Sequence, residues 1–166
     1  MAEERLVLSD SSPLIALDSA GGFQLPRELF GILSITPQVR EEVLAGGTRA
    51  GAAPLRKALA ERWIRLHPSP KSIPQEFARL GAGEASTLAA GVESGENSCL
   101  LLDDESARRE AGKHGLEFTG TIGILVVAKR RKLIAEVKPY LARLADHGFH
   151  ISPELGRSAL KDAGEY

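Results

Sequence analysis

The feature that most constrains this chain is a pair of short apolar runs, each of which stops at an acid. Leu6-Val7-Leu8 runs into Ser9-Asp10-Ser11-Ser12-Pro13, and Cys99-Leu100-Leu101-Leu102 runs into Asp103-Asp104. Runs this short, bounded by polar turn residues, have the length of a buried strand and not of a helix. Between and beyond them, apolar residues recur at helical spacing, as in Leu14, Ile15, Leu17 and Ala20, and again in Val39, Val43 and Leu44. Strands alternating with helices predict an α/β fold whose central, mostly parallel sheet is covered on both faces. Ligands of such sheets bind beyond the carboxyl ends of the strands. The order of elements therefore predicts a site, with Asp10 and the Asp103-Asp104 pair on the same sheet edge.

The remaining elements follow from local signals. Ser11 or Ser12 is expected to cap the first helix, with Pro13 in its first turn and Gly21-Gly22 at its end. A short helix is expected over 26–30, a strand over 32–36, and a helix from Pro37 to Gly46-Gly47. The turn-rich stretch 48–54 precedes a helix over 55–63 and a short strand over 64–66. Helical segments are predicted over 76–80, 83–94, 106–115, 124–132 and 137–147. A brief strand over 116–118 ends at Thr119-Gly120-Thr121-Ile122-Gly123, and a weak helix follows Ile151-Ser152-Pro153-Glu154. The loop from His67 to Pro74 is not taken as a boundary, because neither side alone would make a good core. With 166 residues, one domain over 1–166 is expected.

Composition excludes some classes of function. Twenty-one basic residues face twenty-two acidic ones, a net charge of -1. No whole-chain electrostatic footprint announces nucleic acid, so any basic surface must be local. Cys99 has no partner for an internal disulfide and lies in an apolar run, as a small buried hydrophobe would. The acidic start, Met1-Ala2-Glu3-Glu4-Arg5, lacks the basic and apolar regions of a signal peptide, and no apolar run is long enough to span a bilayer. A reducing cytoplasm is the expected compartment, with no membrane partner.

Two more acids can join those at the strand ends. Glu42 lies in the helix after the second strand, and Glu84 stands at the head of a helix after Gly81-Ala82-Gly83. Converging carboxylates repel one another unless a cation sits between them. Ligands that are all oxygen suit Mg2+ or Mn2+. Two such ions can activate a water and stabilise both oxygens of an in-line phosphoryl displacement. Each acid also has a plainer reading. Asp10 and Asp103-Asp104 can cap helices, Glu42 beside Glu41 can be a solvated helix face, and Glu84 can favour a helix dipole. Only the set points to metal chemistry.

Among the cations, Arg108 or Arg109 can hold a phosphate or pair with a ligand carboxylate. Lys129-Arg130-Arg131-Lys132 is the densest basic run. It falls at the C-terminal end of its helix, away from the presumed site, where a structural role fits better than RNA binding. Thr121 is closer, as a helix cap or a phosphate contact. The histidines are scattered and form no zinc pattern, and no glycine-rich phosphate loop is present.

In order, Ser9-Asp10-Ser11-Ser12-Pro13-Leu14-Ile15, Thr36-Pro37-Gln38-Val39-Arg40-Glu41-Glu42-Val43, Gly83-Glu84-Ala85 and Leu102-Asp103-Asp104 resemble the motifs of the PIN-domain family of metal-dependent ribonucleases. Arg108 and Thr119-Gly120-Thr121-Ile122-Gly123 are similar to a branch of short prokaryotic, VapC-like PIN proteins. The resemblance spans nearly the whole chain and implies a three-layer α/β/α fold. It also implies an endoribonuclease, the toxin of a type II toxin–antitoxin pair, that uses Mg2+ or Mn2+. Asp10 would be the first ligand, Glu42 rather than Glu41 the second, Glu84 the third, and Asp103, Asp104 or both the fourth. Ser12 would orient Asp10. An RNA substrate, a cognate antitoxin and a second copy of the chain are the implied partners. A PIN fold that has lost turnover and only docks RNA or protein is the alternative. A phosphoacceptor domain ranks last, because its paired acids should follow the first strand.

Overall fold

The computed structural model describes residues 5–165, the Glu96 side chain excepted. The first four residues of the acidic start lie outside the described residues. The strands are β1 (Leu6–Ser9), β2 (Leu33–Ile35), β3 (Ile64–Leu66), β4 (Ser98–Leu101) and β5 (Glu117–Thr119). They form one 5-stranded sheet in the order β3-β2-β1-β4-β5, and every pairing is parallel.

Alternation along β1 and β4 explains the layers. Val7 and Leu101 enter one core, while Leu8, Leu100 and Leu102 enter the other. Successive side chains of a strand point to opposite faces, so a strand apolar at every position must be covered twice. The first face is covered by α1 (Ser11–Ser19), α2 (Leu25–Phe30), α3 (Pro37–Ala45), α4 (Ala52–Glu61), α7 (Thr121–Arg130) and α8 (Lys138–Asp146). The second is covered by α5 (Ala82–Ser94) and α6 (Glu105–Lys113), with Phe77 beneath them. α9 (Pro153–Asp162) packs on α7. This is the expected three-layer α/β/α arrangement.

The chain passes from β1 out to β2 and β3, then crosses to the far side of β1 as β4. That reversal leaves a crevice between the carboxyl ends of β1 and β4. Register sharpens it, because Ser9 faces Leu101, which brings Asp10 and Leu102-Asp103 out at neighbouring strand ends.

Several local expectations are corrected. The N-cap of α1 is Asp10, not Ser11 or Ser12, and its side chain makes no capping hydrogen bond. Ser11 is already helical, and its hydroxyl is committed elsewhere. The helix expected over 55–63 begins earlier, at Ala52, because Gly51 takes φ +92 and its N–H is held by Asp18 Oδ2 at 2.6 Å. The stretch 76–80 holds only a 3-10 turn, Gln75–Phe77. α7 begins at Thr121 and not Ile124. α9 is a regular helix with Ser152 as its cap.

Candidate metal centre

Asp10 follows β1 directly, and its backbone N–H donates to Leu101 O at 3.1 Å, extending the ladder by one step. The turn leaves the side chain 2% exposed, and Oδ1 has no hydrogen-bond partner. Burial pushes the carboxyl up from 3.8 to about 7; the Ser11 backbone N–H opposes this, and the charges of Glu84, Glu42 and Asp103 add to it. A buried carboxylate with an unpartnered oxygen is a costly arrangement unless something compensates its charge.

Glu42 is delivered by α3, whose start is set by Thr36: the hydroxyl accepts from Val39 N at 3.2 Å and also meets Ser86 Oγ at 2.7 Å. The latter contact ties α3 to α5. The Glu42 carboxylate is held on both oxygens. Oε2 accepts from Ser11 Oγ at 2.6 Å and Oε1 from Gly83 N at 2.7 Å. A Cβ on Gly83 would stand 2.9 Å from Glu42 Cδ and collide with Oε2. Glycine is needed there so that a carboxylate can approach the N-terminus of α5, where free N–H groups and the dipole favour it. Glu84, in the first turn of α5, is partly buried. Burial, then Asp104, then Glu42 raise its carboxyl above the ordinary value.

Asp103 is gripped by the start of α7, with Oδ1 accepting from Thr121 N at 2.8 Å and Oδ2 from Thr121 Oγ1 at 2.6 Å. Thr121 therefore serves the acid cluster as a donor. Asp104 is exposed, and its Oδ2 accepts from Ala107 N at 2.9 Å as the N-cap of α6. Arg108 donates from Nε to Leu102 O at 2.7 Å, and its guanidinium lies 5.6 Å from the Phe118 ring centroid. A Cβ on Gly120 would strike that guanidinium and stand 2.6 Å from Asp103 Oδ1. Arg108 and Asp103 thus flank one bare stretch of backbone.

The structure brings Asp10, Glu42, Glu84, Asp103, Asp104, Arg108 and Thr121 to one sheet edge. Ser12 stands apart: among the described residues it makes no hydrogen bond to Asp10, and the hydroxyl engaged with an acid is that of Ser11, on Glu42. A serine pair at a helix start does not reveal which hydroxyl turns inward. Gly83 was also missed; the small residues Gly81-Ala82-Gly83 before Glu84 were the available signal. Arg109 pairs with Glu105 in solvent, and Lys129 pairs with Glu165 at 3.2 Å, both structural contacts. Cys99 is buried.

The donor set is all oxygen, as a hard divalent cation requires. The buried, unpartnered Asp10 oxygen is the position at which such a cation would relieve an existing cost. Among the described residues, no three Asp, Glu, His or Cys side chains are yet gathered closely enough to hold one ion together. Among the described residues, no helix is long and apolar enough to cross a membrane. A family model described as a PIN domain matches residues 6–165 of the chain. No curated protein matches it.

Proposed function

The chain belongs to the PIN-domain family, a fold of nuclease type, and on that premise we propose that it is a cytoplasmic, divalent-metal-dependent endoribonuclease, the toxin of a toxin–antitoxin pair. The observation that carries this reading is Asp10: buried, unpartnered on Oδ1 and charge-coupled to Glu84, Glu42 and Asp103. In this reading Mg2+ or Mn2+ would be held by Asp10, Glu42, Glu84 and Asp103, Asp104 or both. The bound ion would make a water more acidic and offset charge on the phosphate oxygens. Ser11 and the Gly83 N–H orient Glu42, and Thr121 orients Asp103. Arg108, anchored through Nε, presents its terminal N–H groups to a phosphate. RNA is the substrate, with a protein antitoxin and a second copy of the chain as partners.

The test is incubation of structured and single-stranded RNA with the protein and Mg2+ or Mn2+, beside EDTA and an Asp10→Asn variant. Cleavage abolished by both is the expected result. Cleavage that survives Asp10→Asn would overturn the assignment of the site.

A second reading, a PIN fold that binds RNA or protein without turnover, draws on Asp103. Both of its oxygens are already engaged by Thr121, and the acids are not gathered as they stand. It requires RNA to be bound and left intact even with Mn2+.

A further inference from the structure

A groove of about 540 Å3 opens beside the acid cluster and continues away from it. It runs between α7 and α9, under the linker that carries Phe149 and His150. Asp103, Arg108 and Thr121 line its mouth, so it is continuous with the candidate metal centre. We propose that this groove receives an unpaired nucleobase of the RNA, next to the phosphate held at Arg108; the inference rests on the nuclease reading and extends it to substrate selection.

Three observations favour a nucleotide as occupant. The volume falls in the range of small-ligand sites, roughly 300–1,000 Å3, which leaves room for a planar base. The lining offers the exposed imidazole of His150 and the half-buried ring of Phe149, which also packs against the core, amid aliphatic walls, while Phe118 at the mouth is faced by Arg108. Bases stack on such rings whatever their identity, and only a base free of its duplex partner can reach them. Cations stand at both ends. Arg108 is fixed to Leu102 O at the mouth, and Arg130 is anchored at the far end, Nη2 donating to Asp162 O at 3.1 Å. Asp162 also lines the groove, as Asp103 does, so acidic residues accompany the two arginines. Both oxygens of Asp103 are engaged with Thr121, which favours a base entering past it with its phosphate left at Arg108. Apolar packing alone would not require a cavity that begins at the acids.

The experiment measures binding without turnover. Fluorescence anisotropy follows a 5′-labelled single-stranded hexaribonucleotide in EDTA, with the same sequence as a duplex alongside. The variants are Phe149→Leu, which keeps apolar volume and removes the ring, His150→Ala, and Arg65→Ala at the opposite sheet edge as control. Phe149→Leu and His150→Ala are expected to weaken single-strand binding by roughly five- to hundredfold, the range of stacking losses per base. Arg65→Ala should leave it unchanged, and the duplex should bind more weakly than the single strand. Unchanged single-strand binding in both groove variants overturns the proposal, and so does equal binding of the duplex. Either result leaves the nuclease reading standing if Asp10→Asn still abolishes cleavage. Conversely, weakened binding in the groove variants of a protein that never cleaves would support the groove while ending the nuclease reading.

Discussion

Asp10 concentrates the electrostatic cost of the site in one residue. Its carboxyl is raised to about 7 in the folded chain from an ordinary 3.8, so the folded state holds the proton more tightly than the unfolded one. Between those values the unfolded state binds fewer protons, and stability falls as pH rises, by up to about 1.4 kcal/mol per unit. Above about 7 the loss is complete. Asp10→Asn removes this dependence. In EDTA at pH 8 the variant is expected to melt several degrees above the parent chain, the gap closing toward pH 4, while metal-dependent cleavage is lost. A thermal melt series across pH checks this, and a lower melting point for Asp10→Asn at pH 8 would contradict it. That Asp10 stands at the carboxyl edge of the sheet was legible from its position after Leu6-Val7-Leu8. That its Oδ1 is unpartnered was not, because the residues which seal it come from elsewhere in the chain.

At the scale of elements, each acid is placed by the start of a helix, and under the proposed function capping and metal binding would compete for the same side chain. Asp104 shows the competition most plainly. Its Oδ2 caps α6 through Ala107 N, a contact whose removal costs about 1 kcal/mol. Asp104→Ala is therefore expected to lower the melting point by roughly 2–4 °C, whereas Asp104→Ser, which keeps a capping oxygen, should not. Cleavage then separates the two roles: full activity in Asp104→Ser assigns Asp104 to the cap alone, and its loss adds a ligand role. Expectation and structure agreed best where the local signal was strong, as at Thr36-Pro37 and at Gly46. They parted at residues 76–80 and at the starts of α4 and α7. At the two helix starts a contact from a distant segment holds the backbone, Asp18 on Gly51 and Asp103 on Thr121.

At the scale of the whole molecule, the C-terminal region closes the layer that flanks the groove. Glu165 accepts from Val137 N at 2.7 Å and Lys138 N at 3.2 Å, and its Oε2 lies 3.2 Å from Lys129 Nζ. Burial works to raise its carboxyl, but the two backbone N–H groups and Lys129 outweigh it, and the net shift is downward. The sign is opposite to that of Asp10. Glu165 adds stability above its ordinary value and loses it as pH falls through the lowered one. Glu165→Gln should therefore lower the melting point at pH 7 and match the parent chain well below pH 4. An equal deficit at both pH values would mean that the clasp acts through packing and not through charge.

The sequence by itself determined the class of fold, the parallel sheet and the edge at which Asp10 and the Asp103-Asp104 pair emerge. These follow from the period of apolar residues and from where each strand-like run stops, both of which are local. Only the tertiary structure decided which hydroxyl faces the acids and that Thr121 clamps Asp103. It also decided that Gly83 and Gly120 must stay bare and that a groove leads away from the site. Each of these depends on side chains far apart in the chain meeting across a few ångströms, Ser11 with Glu42, Gly83 with Glu42 and Asp103 with Thr121. Such meetings are set by packing, and local periodicity carries no record of them.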